Sequence, residues 1–223
     1  MTLFDNKRTN AALIASCLQK QTTRKLTWHL RCKSVCASTE VSLANWINTQ
    51  PLSNDLPRAI FAARQTNAIG QRGRAWISPK GGVWMSAALP YFSGNQSSGL
   101  FGLAVAFSLC ERLEMIGVPV KIKWPNDLFV FDRKLVGFLP KLIYRGDSIR
   151  QARIGIGLNV FNKVPENGIS LIEILGSKNL DLAKWSVEVL LALERAIDLC
   201  EKEDPFYLAA QKRLWNDKVI DSE

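Results

Sequence analysis

The chain has 223 residues, of which 47% are hydrophobic and 22% charged, the balance of an ordinary globular protein in water. No stretch reaches the roughly 20 apolar residues that a membrane-spanning helix needs, and the N-terminus lacks the residue order of a signal peptide. The formal net charge of +9 favours an anionic partner, although its cations are spread along the chain. The composition therefore predicts a cytoplasmic protein without a membrane partner.

Five cysteines without a CxxC pair predict reduced thiols rather than a disulfide framework. Cys32, Cys36 and His29 lie close together in the sequence, but their spacing matches no common zinc pattern. We therefore expect the cysteines to behave as small buried apolar residues, and we expect no metal ligands in the chain.

The elements predicted in chain order are typical of an α+β fold. An N-terminal extension over residues 1–25 contributes one helix, and a strand follows within Leu26–Ser34. Ser38 or Thr39 caps the next helix. Further strands are predicted at "RAIFAARQT", "VWMSAALP" and "VPVKIKW", and further helices at "SSGLFGLAVAFSLCERLEMIG", "SLIEIL", "DLAKWSVEVLLALERAIDLCEK" and "PFYLAAQKRLWND". The segment from "KLVGF" to "GLNVF" predicts a hairpin that turns at Gly146-Asp147.

These elements predict a mixed, largely antiparallel sheet flanked by helices. The segment 26–223 would form one domain around that sheet. No internal repeat and no low-complexity segment interrupts it.

The stretch "KWPNDLFVFDRKLVGF" combines cations, an Asn-Asp pair and a proline with apolar residues. We predict a strand that breaks at Pro-Asn-Asp and resumes after Asp132-Arg133. Lys134 would then lie on the returning strand, where its ammonium could pair with a phosphate or a carboxylate. A polar hairpin with solvated lysines explains the same residues when the stretch is considered alone.

Two glycine-rich segments also indicate a ligand-binding site. The loop from Asn67 to Gly82 contains four glycines and two arginines, and a loop this long in a compact domain is usually functional. It follows neither the Walker A order nor the Rossmann order of glycines. The alternating glycines of "IGIGLNV" indicate that a ligand or another backbone lies close to that strand.

Taken in order, "STE", "ARQTNAIGQRGRAWISPKGGVWMS", "KWPND" with a lysine seven residues after its Asp, and "GIGLNV" resemble the biotin protein ligase family. The resemblance covers roughly residues 26 to 215. It implies a catalytic core related in fold to lipoate ligases and class II aminoacyl-tRNA synthetases. It implies the monofunctional type, without a DNA-binding domain, and we expect no counterpart of the family's small C-terminal barrel-like domain.

The resemblance also implies the reaction. Biotin and ATP, with Mg²⁺, would form biotinyl-adenylate, and a lysine of a biotin carboxyl carrier protein, the acetyl-CoA carboxylase subunit, would then accept the biotin. No DNA partner is implied, and a homodimer is left open. Such a reaction depends on positioning and charge neutralisation rather than on a nucleophilic side chain, which agrees with the single histidine.

Site residues follow from the resemblance, position by position. Three are assigned to catalysis: Lys134, Asn126 and Asp127. Those assigned to biotin are Ser38, Thr39, Gln65, Gly70, Trp76 and Lys134. Those assigned to ATP or the adenylate are Gln71, Arg72, Gly73, Arg74, Lys123, Asn126, Gly157 and Asn159.

Four residues depart from the family pattern. Ile69 and Gln71 replace arginines of the glycine-rich loop, Glu40 stands where an Asn often follows Ser-Thr, and Lys141 stands where a Glu is usual. Three alternatives therefore remain: a degenerate paralogue that binds biotin or its adenylate without transfer, a lipoate- or octanoate-type ligase, and a nucleic-acid-binding module driven by the positive charge.

Overall fold

The computed structural model describes residues 10–21, 26–52, 56–90, 98–146, 148–176, 180–201 and 206–215. The helices are α1 (Ala11–Gln19), α2 (Thr39–Thr49), α3 (Ser98–Glu114), α4 (Leu171–Leu175), α5 (Leu182–Glu201) and α6 (Phe206–Gln211). The strands are β1 (His29–Lys33), β2 (Arg58–Ala62), β3 (Ala68–Ile69), β4 (Ala75–Trp76), β5 (Val83–Pro90), β6 (Lys121–Lys123), β7 (Asp127–Val130), β8 (Arg133–Arg145) and β9 (Ser148–Leu158).

One seven-stranded sheet organises the fold, in the order β1-β2-β5-β9-β8-β7-β6. Only the β1–β2 pairing is parallel, and the other pairings in this sheet are antiparallel. The predicted mixed, largely antiparallel sheet with flanking helices is therefore confirmed. The predicted boundary near residue 25 falls among residues 22–25, outside the described part of the chain.

The two faces of the sheet have different partners because successive side chains of a strand point to opposite sides. Met85, Ala87 and Leu89 of β5 join the main hydrophobic core, to which α3 and α5 also contribute. On the opposite face, α2 packs Leu43, Trp46 and Ile47 against buried residues of β2 and β5. The α2 helix covers only part of this second face, which leaves the central strands β8 and β9 open for a cavity.

Helix boundaries follow local chemistry. The side chain of Asn10 accepts a hydrogen bond from the backbone N–H of Leu13 and caps α1, whose Ile14 and Leu18 are buried. Ser38 caps α2, as predicted, by accepting a hydrogen bond from the N–H of Glu40 at 3.2 Å. Among the described residues, no helix is both long enough and apolar enough to span a lipid bilayer.

The predicted hairpin of the central strands is confirmed, with β8 and β9 paired along most of their length and Gly146 at the turn. Its Asp147 lies outside the described residues. Gly146 has a φ of +60°, which glycine adopts without steric cost.

Three predicted elements differ from the structure. The KWPND stretch forms three strands rather than two, because Asp127–Val130 pairs with β6 on one side and with β8 on the other. The loop after Asn67 contains the short hairpin β3–β4, closed by a 3₁₀ turn at Gln71–Gly73. The first strand starts only at His29. In each case tertiary hydrogen bonding, rather than the local residue pattern, decides the boundary.

The last predicted helix is also shorter than the sequence indicates. It ends at Gln211, and the chain then runs beside the edge strand β6. The backbone N–H of Ile122 donates to the carbonyl of Arg213 at 2.8 Å, and the N–H of Trp215 donates back to Ile122 at 2.9 Å. These bonds satisfy backbone groups of an edge that is otherwise exposed.

Candidate functional site

Two connected cavities open on the face of the sheet that α2 only partly covers. The inner cavity, of about 70 Å³, lies between the start of α2 and strands β5, β8 and β9. The outer cavity, of about 470 Å³, lies between the β3–β4 hairpin and the turn before β7. They share five lining residues, which define their junction: Gly70, Gln71, Trp76, Asn126 and Lys134.

A chain of hydrogen bonds centred on Gln65 runs along one wall of the inner cavity. The Oε1 atom of Gln65 accepts hydrogen bonds from the backbone N–H of Thr39 at 2.7 Å and from its hydroxyl at 3.0 Å. The Nε2 atom of Gln65 donates to the hydroxyl of Ser78 at 3.0 Å. Thr39 Oγ1 also lies 2.8 Å from Ser86 Oγ, on the central strand β5. The network holds these polar groups in a defined geometry before any ligand arrives.

Glycines on β8 and β9 form the floor of the inner cavity and bring it against Trp76. A Cβ atom built at Gly157 would lie 2.6 Å from Trp76 Nε1, and one at Gly137 would lie 2.9 Å from the same indole ring. The indole therefore lies directly over these backbones, where no larger residue fits. The buried Nε1–H of Trp76 has no partner within the described structure.

Lys134 lies at the junction of the two cavities. Its Nζ is 2.6 Å from Asp127 Oδ1 and 4.7 Å from the centre of the Trp76 ring. Burial raises the pKa of the Asp127 carboxyl, and the positive charges of Lys134 and Lys123 partly oppose that rise. At the junction, the ammonium of Lys134 is therefore held in place by the partly buried carboxylate of Asp127.

The backbone of Lys134 is held from three sides. Its N–H donates to the carbonyl of Asn167 at 2.9 Å, and its carbonyl accepts from the N–H of Ile169 at 3.0 Å. The side-chain amide of Asn159 donates to the same carbonyl at 3.3 Å, and Asn162 Nδ2 donates to Asn159 Oδ1 at 2.9 Å. These bonds fix the strand that carries the ammonium group.

The outer cavity is built from loops and carries cations with exposed side chains. Arg72 and Arg74 belong to the 3₁₀ turn and its end, and Arg72 has a φ of +56°. On the opposite side, Asn126 Nδ2 donates to the carbonyl of Phe138 at 3.3 Å, while the N–H of Phe138 donates to the carbonyl of Asn126 at 2.7 Å. This pair of bonds fixes the turn of the KWPND stretch beside the cavity.

The structure brings most of the predicted site residues together. Ser38, Thr39, Gln65 and Gly157 line the inner cavity, and Arg72, Arg74, Asp127 and Asn159 line the outer one. The five junction residues named above were all predicted too. The side chain of Asn159, however, is occupied in holding Lys134, as described above.

Two predicted residues line neither cavity. Lys123 instead packs its ammonium over the rings of Trp215, at 3.8 Å, and Phe129, at 4.5 Å. It still lies close enough to Asp127 to influence the pKa of that carboxyl. Gly73 has a φ of +74°, which indicates a role in closing the turn.

Three residues of the site were missed by the assignments made from sequence. Ser86 lies in the inner cavity and could have been found as the polar residue inside the apolar strand "VWMSAALP". Glu40, noted only as a departure, also lines the inner cavity. Asn162 follows the strand that carries the glycines, and no sequence signal distinguishes it from an ordinary loop asparagine.

The arrangement suits an elongated ligand with a polar ring at one end and a carboxylate at the other. The ring would meet the network of Thr39 and Gln65, and the carboxylate would meet Lys134, with room beyond it for a nucleotide. Among the described residues, no three His, Cys, Asp or Glu side chains cluster as metal ligands. The positioned groups favour charge stabilisation over nucleophilic attack by the protein.

Comparisons with known proteins identify relatives of the chain. The model of the biotin/lipoate A/B protein ligase family matches residues 33–159. The bifunctional ligase/repressor BirA of Bacillus subtilis is 31% identical in an alignment of 177 residues that covers 75% of this chain and 53% of that protein. A biotin–[acetyl-CoA-carboxylase] ligase of Paracoccus denitrificans is 28% identical in an alignment of 104 residues that covers 45% of this chain and 43% of that protein. The chain spans about half the length of the curated relatives it matches.

Solved structures give the same result. A biotin protein ligase from Aquifex aeolicus, in complex with biotin and ATP, superimposes with a TM-score of 0.69 at 28% identity, over 83% of this chain and 78% of that one. A Helicobacter pylori synthetase with bound biotinylated ATP shares the fold, with a TM-score of 0.62 at 23% identity over 84% and 83% of the two chains. Since the family model covers more than half of its residues, the chain belongs to the biotin/lipoate A/B protein ligase family, beside the biotin protein ligases that it resembles.

Proposed function

We propose that this chain activates biotin with ATP and transfers it to a lysine of a biotin carrier domain, with the carrier subunit of acetyl-CoA carboxylase as its acceptor. One observation supports this function above the others. Lys134 lies where a narrow cavity with a polar wall meets a larger cavity with exposed arginines. The carboxylate of a small acid and the α-phosphate of a nucleotide would meet there.

In the first step, a carboxylate oxygen of biotin attacks the α-phosphorus of ATP. The bond between that phosphorus and the bridging oxygen breaks, and pyrophosphate leaves with the bonding electrons. Negative charge accumulates on the transferring phosphoryl group, and Lys134 is the cation placed to stabilise it. The paired Asp127 keeps the ammonium at the junction before the substrates bind.

In the second step, the amine of the acceptor lysine attacks the acyl carbon of the mixed anhydride. AMP leaves with the electrons of the acyl–oxygen bond, and the amine loses a proton as the amide forms. The acceptor supplies the nucleophile, so the chain needs only to hold the adenylate and exclude water. Trp76, which lies against the glycine floor, would enclose the acyl part of that intermediate.

Magnesium would enter with the ATP phosphates as part of the substrate. Mg²⁺ usually keeps several waters and binds through one or two carboxylates together with phosphate oxygens. Asn126 and Asp127 line the outer cavity and offer side-chain oxygens there, although Lys134 already pairs with the carboxylate of Asp127. These two residues could therefore supply some of the magnesium ligands, and phosphate oxygens and water would supply the others.

The test is biotin-dependent exchange of labelled pyrophosphate into ATP, followed by transfer of labelled biotin to a purified carrier domain. We expect exchange with the wild type and a loss of about 10²- to 10³-fold in Lys134→Ala, because a positioned cation at the reacting phosphoryl group is removed. The variant's melting temperature, compared with that of the wild type, serves as the folding control.

Other outcomes would favour the alternatives. Biotin binding without exchange would indicate a paralogue that retains binding alone, for which Ile69 and Gln71 in place of arginines are the motivating residues. Exchange that depends on lipoate or octanoate instead of biotin would identify the other branch of the family. Absence of both binding and exchange would reject the proposal.

A further inference from the structure

We propose that Glu40 is a specificity-determining residue of the inner cavity, where its carboxyl accepts a hydrogen bond from a ring N–H of the acyl substrate. The substrate class that this acceptor selects is a carboxylic acid carrying a cyclic urea, as opposed to acids whose far end has no N–H donor. The inference rests on the proposed function and deepens it.

The first observation is that the neighbouring side-chain acceptors each already accept at least one hydrogen bond from the protein. Gln65 Oε1 accepts two hydrogen bonds from Thr39, Ser78 Oγ accepts from Gln65, and Ser38 Oγ accepts from the N–H of Glu40. By contrast, Glu40 Oε1 is shielded from solvent and has no hydrogen-bond partner among the residues that the structure describes. The cavity thus retains a buried carboxylate oxygen that no donor among the described residues reaches with hydrogen-bonding geometry.

The second observation is the position of this carboxyl. Glu40 lines the inner cavity, and a Cβ atom built on Gly155 would lie 3.8 Å from Glu40 Oε1 and 3.8 Å from its Cγ. The carboxyl therefore lies against the glycine floor. No cation within the described part of the chain approaches it to 4 Å, since Glu40 takes part in none of the ion pairs found there.

A cyclic urea has one carbonyl and two N–H groups, and the cavity offers groups that complement them. The Ser38 hydroxyl proton and the second Nε2 proton of Gln65 remain available to the carbonyl, because each group uses only part of its hydrogen-bonding capacity. Glu40 supplies an acceptor for an N–H. A site built around such a bond strongly rejects an analogue that lacks the donor, because its buried polar group is then left unpaired.

Charged neighbours set the titration of this carboxyl. Burial raises the pKa of Glu40, while Arg153 of β9, the Ser86 hydroxyl of β5 and Lys141 of β8 oppose the rise. An N–H donor binds the ionised form more strongly. Affinity for a cyclic urea should therefore fall as the pH drops through the pKa of Glu40. Asp127 lies at the other end of the proposed ligand site, and its pKa is also raised. Its protonation should therefore also change affinity at acid pH, and a variant of Glu40 does not remove that contribution.

The experiment measures binding of biotin, desthiobiotin, lipoate and octanoate to the full chain by calorimetry. The variants are Glu40→Gln, Glu40→Leu and the control Glu111→Gln, whose carboxyl belongs to α3 behind the sheet. We expect losses of about 3- to 10-fold in Glu40→Gln and 10- to 100-fold in Glu40→Leu for the two cyclic ureas. Lipoate and octanoate, which lack the donor, should bind as before or more tightly.

A second readout is the pH dependence of biotin affinity between about pH 5 and pH 8. The wild type should bind biotin more weakly as the pH falls. Glu40→Gln should show a smaller decrease, because its amide does not titrate. This comparison remains informative even if Glu40→Leu folds poorly, because the amide preserves the size of the side chain.

Equal losses for all four ligands would overturn the inference, because they would assign Glu40 a structural role only. Unchanged affinities in Glu40→Gln and Glu40→Leu would overturn it as well. Binding of neither cyclic urea to the wild type would overturn both the inference and the proposed function. Selective binding of cyclic ureas without pyrophosphate exchange would support the inference while rejecting the proposed catalysis.

Discussion

The inner and outer cavities meet at Lys134 but are built in different ways. The inner cavity lies on the centres of long strands and the capped start of α2, and the side chains of Thr39, Gln65 and Ser86 are bonded to one another there. The outer cavity lies between short turns, and its arginines have exposed side chains. The difference indicates that the inner cavity is preorganised for a small ring, whereas the outer cavity is less preorganised for the anionic group that it would bind.

This contrast has an energetic basis. Regular strands and a satisfied network resist rearrangement, so that the entropy of ordering them is lost on folding rather than on binding. Turns with exposed cations are ordered by fewer contacts, and their attraction for phosphate is screened by salt. Variants in the two cavities should therefore affect stability, biotin affinity and ATP affinity in different proportions.

Gly157→Ala should produce the largest effect of the three variants below. The added methyl group would lie 2.6 Å from Trp76 Nε1, so that the indole must move. We expect a destabilisation of about 1–3 kcal/mol and a loss of biotin affinity of about 10-fold or more. Thermal unfolding and calorimetry would measure the two effects.

The control for this prediction is a double-mutant cycle with Trp76→Ala. Removing the indole should relieve the clash, so that the stability cost of Gly157→Ala becomes much smaller in that background. Equal costs in both backgrounds would show that the contact between the glycine floor and the indole is not the source of the effect.

Gln65→Ala should produce an intermediate effect, confined to the inner cavity. The variant removes the acceptor of the Thr39 N–H and one partner each of the Thr39 and Ser78 hydroxyls, which keep their bonds to Ser86 and to the Trp76 carbonyl. We expect about 1–3 kcal/mol of lost stability and about a 10-fold rise in the KM for biotin. The KM for ATP should change little in exchange assays, and a larger effect on ATP than on biotin would contradict the separation of the two cavities.

The double variant Arg72→Ala and Arg74→Ala should produce the smallest effect, confined to the outer cavity. Both side chains are exposed, so we expect about a 3- to 5-fold rise in the KM for ATP at low salt and almost none at high salt. Biotin affinity in the absence of ATP and the melting temperature should remain at wild-type values. Lys80→Ala, an exposed cation that lines neither of these two cavities, is the matched control.

Much of the fold could be predicted from local patterns. The apolar strands β2 and β5, the cap at Ser38 and the turn at Gly146 follow from burial, capping and glycine chemistry within a few residues. The extra strand Asp127–Val130 could not be read in this way, because it depends on partners on both sides. The return of the chain to β6 after Gln211 depends likewise on an edge that forms far away in sequence.

The site was predictable to a similar extent. Lys134, Gln65 and the glycines stand in motifs that resemble those of the family, and that resemblance assigned a role to each of them. Lys123 belongs to the same motif, yet its ammonium lies against two aromatic rings instead of in a cavity. Spacing along a strand determines which face a residue occupies, but not which neighbours compete for its side chain.

The sequence by itself indicated the family, most of the helices and strands in their order, and the residue types at the junction, because these depend on short motifs. Only the tertiary structure decided which polar groups satisfy one another and which remain unpaired. Thr39 and Gln65 meet across 26 residues, and Glu40 Oε1 is left beside them without a hydrogen-bond partner among the described residues. Hydrogen-bond pairing between distant segments depends on distances of a few ångströms that no local pattern specifies.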